Sequence, residues 1–480
     1  MNQRIKVLIS CILVSQLFLM TVFGAPDWPS DTGIQAEAGI VIDGDSGAVL
    51  FGQNIHAPYP PASITKVLTA LIVLENANLE DMVTFSKDSI YNVEEGSGNK
   101  LNVDTGDKLS VEDCLYSLIL HSCNQAANAL AEHVAGSREK FVAMMNEKLQ
   151  SLGCTESHFD NPSGLNGDTQ YVTAYDMALI AKAAYSNKKL VEISSAISRN
   201  IPPTSRNPDG LTIYNEHRLV KTKDSKSEFY CPSAVAGKTG YLVKAGNTLV
   251  TYGEQDGKKL ISIILKGSPK QYFIDGKALL EFGFSRFENF PVTGNETAYT
   301  TGEDPVEING KAYQPSDLEL ETDRVITLPK GAEFSQADKT LVTNLPKASP
   351  ERAVALIQYS YNDRKVGQAY LMEKKSEEPM SQSSEQTSAE TKPEEPKTSS
   401  GIGNASAGRK GGGILAAAGL IAALALAGGI GLFLYMKKKE AREIALRREE
   451  RRRRLKADGS EKDFERILNQ RRNRKGKNKN

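Results

Sequence analysis

Gly39 to Ile42 and Ala48 to Phe51 are apolar runs separated by Asp43-Gly44 and Ser46-Gly47, the pattern of two strands joined by a tight turn. From Ser63 to Leu74 the period changes. Val67, Leu68, Leu71 and Leu74 recur at helical spacing, which predicts a helix with one buried side. Ser110, with Asp113 one turn later, marks the start of another helix running to about Leu120. Gln125 to Val134 is a third helical run, stopped by Gly136. Thr248 to Tyr252 and Leu260 to Leu265 flank Asp256-Gly257 and predict a second hairpin. Helices enclosed between an N-terminal hairpin and C-terminal strands predict an α+β domain with an antiparallel sheet over residues 36–287.

Beyond it the helical period disappears. Arg324 to Leu328, Ala353 to Tyr359 and Val366 to Leu371 are short β-rich runs between Gly, Pro, Asn and Asp, with Asn362-Asp363 as a turn. This predicts a small all-β domain over residues 288–372. Residues 374–413 are rich in Ser, Glu, Pro, Lys and Gly and lack aromatics, so they cannot bury enough apolar surface to fold. A disordered linker of that length has a mean reach of roughly 35 Å. Ile414 to Met436 is then an uncharged run of 23 residues. As a helix it spans about 34 Å, enough for a hydrocarbon core of about 30 Å. The opposite end of the chain is also apolar, from Val7 to Phe23, behind Arg4 and Lys6. It predicts a signal peptide over residues 1–24, with cleavage after Gly24.

Charge sharpens this topology. The formal net charge is zero, yet residues 437–480 hold 19 basic and 8 acidic side chains, or +11, leaving −11 on the rest. Lys437-Lys438-Lys439 follow the span directly, which places this tail in the cytoplasm and the folded part outside. The basic tail reads as a stop-transfer anchor against anionic lipid rather than a nucleic-acid binder. Gly419, Ala423, Ala427 and Gly431 make a stripe of small residues along which two spans could self-associate.

Of five cysteines, Cys11 leaves with the leader. Cys114, Cys123, Cys154 and Cys231 are too sparse for a disulfide framework and read as free thiols. Neither a metal-ligand spacing nor a Gly-rich phosphate loop occurs, so no metal and no cofactor is expected.

Three strings carry candidate chemistry. In Ser63-Ile64-Thr65-Lys66 a helix would put hydroxyl and amine on one face. The Lys66 amine could then take the Ser63 proton and create a nucleophile, provided that burial beside other cations lowers its pKa from about 10.4. Ser is also a favoured helix N-cap, and both uses are open to Ser63. Ser122-Cys123-Asn124 follows a buried-looking helix. Ser122 could relay a proton, and Asn124 offers a donor and an acceptor to a substrate amide. Lys238-Thr239-Gly240 offers a charge-assisted site for a carboxylate and a close backbone approach at Gly240.

The order S-x-x-K, S-x-N, K-T-G resembles that of penicillin-recognising serine enzymes. Residues Ala126 to Gly136, Asn161-Pro162-Ser163-Gly164-Leu165 and Thr173-Ala174-Tyr175-Asp176-Met177 extend the likeness to D-alanyl-D-alanine carboxypeptidases, the low-molecular-mass penicillin-binding proteins. The resemblance covers residues 36–287, and residues 288–372 are similar to that family's trailing β-domain. It implies an acyl-enzyme on Ser63, release of the terminal D-alanine of peptidoglycan stem peptides, and acylation by β-lactam antibiotics. It implies an oxyanion hole from the backbone N–H groups of Ser63 and Tyr241. Gln125 stands where the family often has Asp, and Tyr171 lies where a His-Ser-Thr string is frequent. Two alternatives share the scaffold. A β-lactamase would need Glu-x-x-Leu-Asn, whereas Gly98 stands in the Glu position before Leu101-Asn102. A β-lactam or muropeptide receptor would need a folded signalling partner in the tail.

Overall fold

The computed structural model describes residues 25–93, 98–165, 167–346 and 349–375. The expected leader, the linker beyond residue 375, the span at 414–436 and the tail at 437–480 lie outside the described residues. Among the described residues no helix is long and apolar enough to cross a membrane.

The main sheet has five strands: β1 (Ala38–Asp43), β2 (Val49–Gln53), β3 (Ala234–Leu242), β4 (Gly246–Gln255) and β5 (Lys258–Gly267). Their order is β2-β1-β5-β4-β3, antiparallel throughout. Both predicted hairpins are present, β1 with β2 and β4 with β5. The N-terminal hairpin joins the later strands in the middle of the sheet, where Ile40 pairs with Ile263. Period-2 alternation lets this sheet serve two cores at once. Ala38, Ile40 and Ile42 face one, with Ile261, Ile263 and Leu265 of β5. Val41 faces the other, with Leu260 and Ile264.

The first core is filled by helices α1 (Lys66–Asn76), α2 (Val111–Leu120), α3 (Asn124–Ala135), α4 (Arg138–Ser151), α5 (Ala174–Tyr185) and α6 (Lys188–Ser195). α1 is buried on nearly every side over Lys66–Val73, so its wide apolar surface is the centre of the bundle rather than a one-sided stripe. α2 starts as predicted, with Ser110 Oγ accepting from Asp113 N at 3.0 Å. α3 ends at Gly136, whose φ of +76° is the left-handed cap that glycine adopts without a Cβ penalty. α7 (Gln271–Arg286) covers the opposite face of the sheet.

Six strands after α7 form a second antiparallel sheet, and three two-stranded sheets lie outside both among the described residues. The six are β6 (Phe287–Pro291), β7 (Leu318–Leu320), β8 (Val325–Pro329), β9 (Asp338–Val342), β10 (Ala353–Tyr361) and β11 (Arg364–Glu373). Their order is β6-β8-β11-β10-β9, with β7 also on β11. This sheet has its own core, including Ile326, Ile357, Tyr359 and Leu371. A polar seam joins it to the first hairpin. Asn289 Nδ2 donates to buried Asp43 at 2.9 Å, and Ser46 Oγ lies 2.7 Å from Thr327 Oγ1. Trp28 closes the seam: its Nε1 donates to the Leu50 carbonyl and its ring packs, tilted, against Phe287 with centroids 5.0 Å apart.

Candidate active site

Ser63 does not begin an α-helix. Residues Ala62–Thr65 form a 3₁₀ turn, and α1 starts only at Lys66. The N-cap reading of Ser63 is therefore corrected, since no side-chain cap bond forms at either helix start. The tighter turn has a chemical consequence. With three residues per turn, positions i and i+3 eclipse, and Lys66 Nζ comes to 2.9 Å from Ser63 Oγ. The turn is entered through Ala62 at φ +51°, a conformation that costs a residue with a Cβ about 1–2 kcal/mol.

Lys66 is wholly buried, 0 % exposed. Its Nζ also donates to the Ser163 carbonyl at 2.7 Å. That carbonyl is held by a loop built around Asn161. The Asn161 Oδ1 accepts from Ser163 N, Ser163 Oγ and Gly164 N, and its Nδ2 donates to Leu165 O. Thr69 Oγ1, one turn along α1, fastens the loop by donating to Pro162 O at 2.7 Å. Gly164 is obligatory twice over: φ is +83°, and a Cβ would lie 1.9 Å from Ala62 O. Asn161, Ser163 and Gly164 were not among the residues assigned a role from sequence. Their only signal there was the Asn-Pro-Ser-Gly-Leu string itself.

Ser122 and Asn124 lie at the turn between α2 and α3, both buried. Ser122 is left-handed, φ +57°, which aims its side chain independently of both helices. Asn124 is the first residue of α3, and its buried Oδ1 meets no hydrogen-bond partner among the described residues. A buried acceptor without a partner is costly, so this oxygen is suited to an incoming N–H. α1 packs on α3, which brings this turn toward the Ser63 turn. Gln125, the departure next to this motif, is buried and donates to Gly98 O at 2.9 Å.

The third string lies along β3. Alternation buries Lys238 and exposes Tyr241, 1 % and 61 % exposed respectively. Lys238 Nζ donates to Thr239 O at 2.8 Å. Burial pulls its pKa down to about 8, Lys100 adds to the fall, and Glu216 opposes it. Gly240 packs directly on the Ser63 turn. A Cβ there would lie 2.4 Å from Thr248 Oγ1 and 2.8 Å from the Ser63 backbone nitrogen. Only glycine allows β3 to approach Ser63 this closely. Under the strand lies His217, whose Nε2 is 3.2 Å from the Val250 carbonyl and whose burial lowers its pKa to about 3. It is therefore neutral at working pH, a fixed support under Gly237 rather than a proton carrier.

All four described cysteines are free and buried. Among the described residues no cluster could hold a metal ion.

A serine hydroxyl touching a buried amine, with a second serine, an unpartnered amide oxygen and a buried cation around it, defines a serine–lysine acyl-transfer site. The chain belongs to the D-alanyl-D-alanine carboxypeptidase family, whose model matches residues 25–268. It is 26% identical over 349 residues to D-alanyl-D-alanine carboxypeptidase DacF of Bacillus subtilis, covering 70% of this chain and 85% of the relative. To DacB2 of Mycobacterium tuberculosis, a protein of the same name, it is 32% identical over 266 residues, covering 54% and 84%. Among solved structures, penicillin binding protein 5 from Haemophilus influenzae superposes with a TM-score of 0.58 at 25% identity, covering 72% of this chain and 98% of that one.

Proposed function

We propose that this protein is a serine D-Ala-D-Ala carboxypeptidase acting on peptidoglycan stem peptides, with Ser63 as nucleophile and Lys66 as its base. The observation that carries the assignment is the 2.9 Å contact between Lys66 Nζ and Ser63 Oγ inside a closed site. Lys66 Nζ donates one N–H to the Ser163 carbonyl, which fixes the amine beside the Ser63 hydroxyl. Ser63 Oγ attacks the carbonyl carbon of the penultimate D-alanine, and its proton passes to Lys66. The oxyanion that forms is held by the N–H groups of Ser63 and Tyr241, each worth roughly 3 kcal/mol in such sites. When the C–N bond breaks, Ser122 hands the proton from Lys66 to the departing nitrogen. D-Alanine leaves, and the acyl group stays on Ser63 as an ester. Water attacks that ester and gives its proton back through Lys66. Asn124 holds the substrate amide. Lys238 and Thr239 bind the terminal carboxylate, and Gly240 admits it close to the nucleophile.

A β-lactam presents a strained amide and a carboxylate in the same relation, so it acylates Ser63 and leaves slowly. The β-lactamase alternative lacks its water-activating carboxylate: residue 98 is glycine, and its carbonyl is occupied by Gln125. Incubation with a D-Ala-D-Ala-ended peptide is expected to release free D-alanine, while penicillin adds its full mass once per chain and persists. Rapid penicillin turnover without peptide cleavage would mark a lactamase. A stable adduct without any D-alanine release would mark a receptor.

For the chain as a whole, the reading is a catalytic domain at 36–287, a β-domain at 288–372, and a linker, span and cytoplasmic tail beyond them, with the catalytic part outside the membrane. Its support is the separate core of the second sheet and the uncharged run followed by lysines. Protease added to intact cells should free the head by cutting the linker and spare the tail; a tail digested from outside reverses this topology.

A further inference from the structure

The backbone on both sides of the left-handed Ser122 is held by hydrogen bonds, on one side from distant parts of the chain. Before it, the Leu120 carbonyl accepts from Glu216 N at 3.2 Å, and the His121 carbonyl accepts from Lys100 Nζ at 2.9 Å. After it, Cys123 N donates to Ser117 O at 3.1 Å. Lys100 and Glu216 are themselves paired at 2.9 Å. Lys100 is presented by a short loop that Asn99 closes through Val103 and that Gln125 ties to α3 through Gly98. Glu216 immediately precedes His217, the support under β3. One ion pair therefore bridges the Ser122 turn and the strand that carries Lys238.

We propose that Lys100 and Glu216 are positioning residues for the reaction: Lys100 locks the Ser122 turn through the His121 carbonyl, and the pair together sets the electrostatic field at Lys238. The proposal rests on the active-site reading above. A left-handed non-glycine residue persists only when its surroundings over-determine it, and here the backbone groups on both sides of Ser122 are fixed. The charges facing Lys238 are Glu216 and Lys100, while burial holds His217 down to about 3 so that it carries no charge at working pH, and burial also lowers the His121 imidazole. Glu216 favours the protonated lysine and Lys100 disfavours it. In turn the Glu216 carboxyl, which burial alone would raise, is held below its ordinary value first by Lys238 and then by Lys100.

The two residues thus have separable signatures. Lys238 must be protonated to hold a carboxylate, so kcat/KM of the wild type should fall as pH rises through about 8. Lys100→Met removes both the grip on His121 and a like charge. Penicillin acylation should slow by about tenfold to a hundredfold, and the alkaline limb should move to higher pH. Glu216→Gln keeps the shape and removes the favourable charge, so the limb should move to lower pH with a smaller loss of acylation. Lys100→Arg, which keeps donor and charge, should recover most of the acylation rate. The measurements are acylation rates by intact mass and the pH profile of D-alanine release, each per folded chain. Limbs that do not move in opposite directions, or a Lys100→Met acylation rate within about twofold of wild type, would overturn the proposal. A wild type that neither takes up penicillin nor releases D-alanine sinks the reading of the site instead.

Discussion

Ser63→Ala should take up no penicillin at all and release D-alanine at a rate lower by about six orders of magnitude, the loss seen when a serine nucleophile is removed from a unit that acts together. The fold should survive. Ser63 lies in a 3₁₀ turn whose backbone bonds do not involve its side chain, and no cap depends on it. Lys66 would keep the Ser163 carbonyl as a partner. The test is intact-mass analysis after penicillin, with the melting temperature as the control for folding. An adduct that persists on the folded Ser63→Ala chain, at Ser122 or elsewhere, would move the nucleophile.

Lys66→Arg comes second in expected effect. The guanidinium keeps the positive charge but does not deprotonate at any working pH, so it cannot accept the hydroxyl proton. Acylation should fall by about 10²–10⁴-fold, the span of general-base assistance. Because Lys66 is fully buried, the bulkier fork also strains its pocket. Lys66→Met separates the two effects: it fits the space, carries no charge and is no base. Both variants should lose acylation, and the Met chain should remain folded by its melting transition. A folded Lys66→Met that acylates at the wild-type rate would assign the base elsewhere, with Ser122 the first place to look.

The two hairpins and the cap at Ser110 were legible in the sequence because each is decided within a few residues, by turn chemistry or by the period of apolar positions. The three candidate strings were legible for the same reason. The grip on Lys66 was not. Its carbonyl partner stands 97 residues away at Ser163, and no local pattern links the two. The Lys100–Glu216 pair spans 116 residues, and no local pattern joins its two members. The 3₁₀ turn at Ser63 was hidden by helical periodicity, which from Val67 onward is correct. What sets the turn is the fit between Ala62, Gly164 and Gly240, and that fit exists only once the loop and β3 have arrived. Local rules thus mark the candidate groups, and tertiary contacts decide how they are held.

The seam at Trp28 turns the molecule into its own instrument. The chain has one tryptophan, wedged between the cores of the two sheets, with the Arg364 guanidinium 5.2 Å above its ring. Indole emission responds to the polarity of its surroundings. A fluorescence trace of this protein therefore reads the separation of the two sheets and not the occupancy of the cleft at Ser63. Compared with a label on the active-site serine, it yields two independent clocks from one sample: one timing the parting of the halves, the other the loss of chemistry.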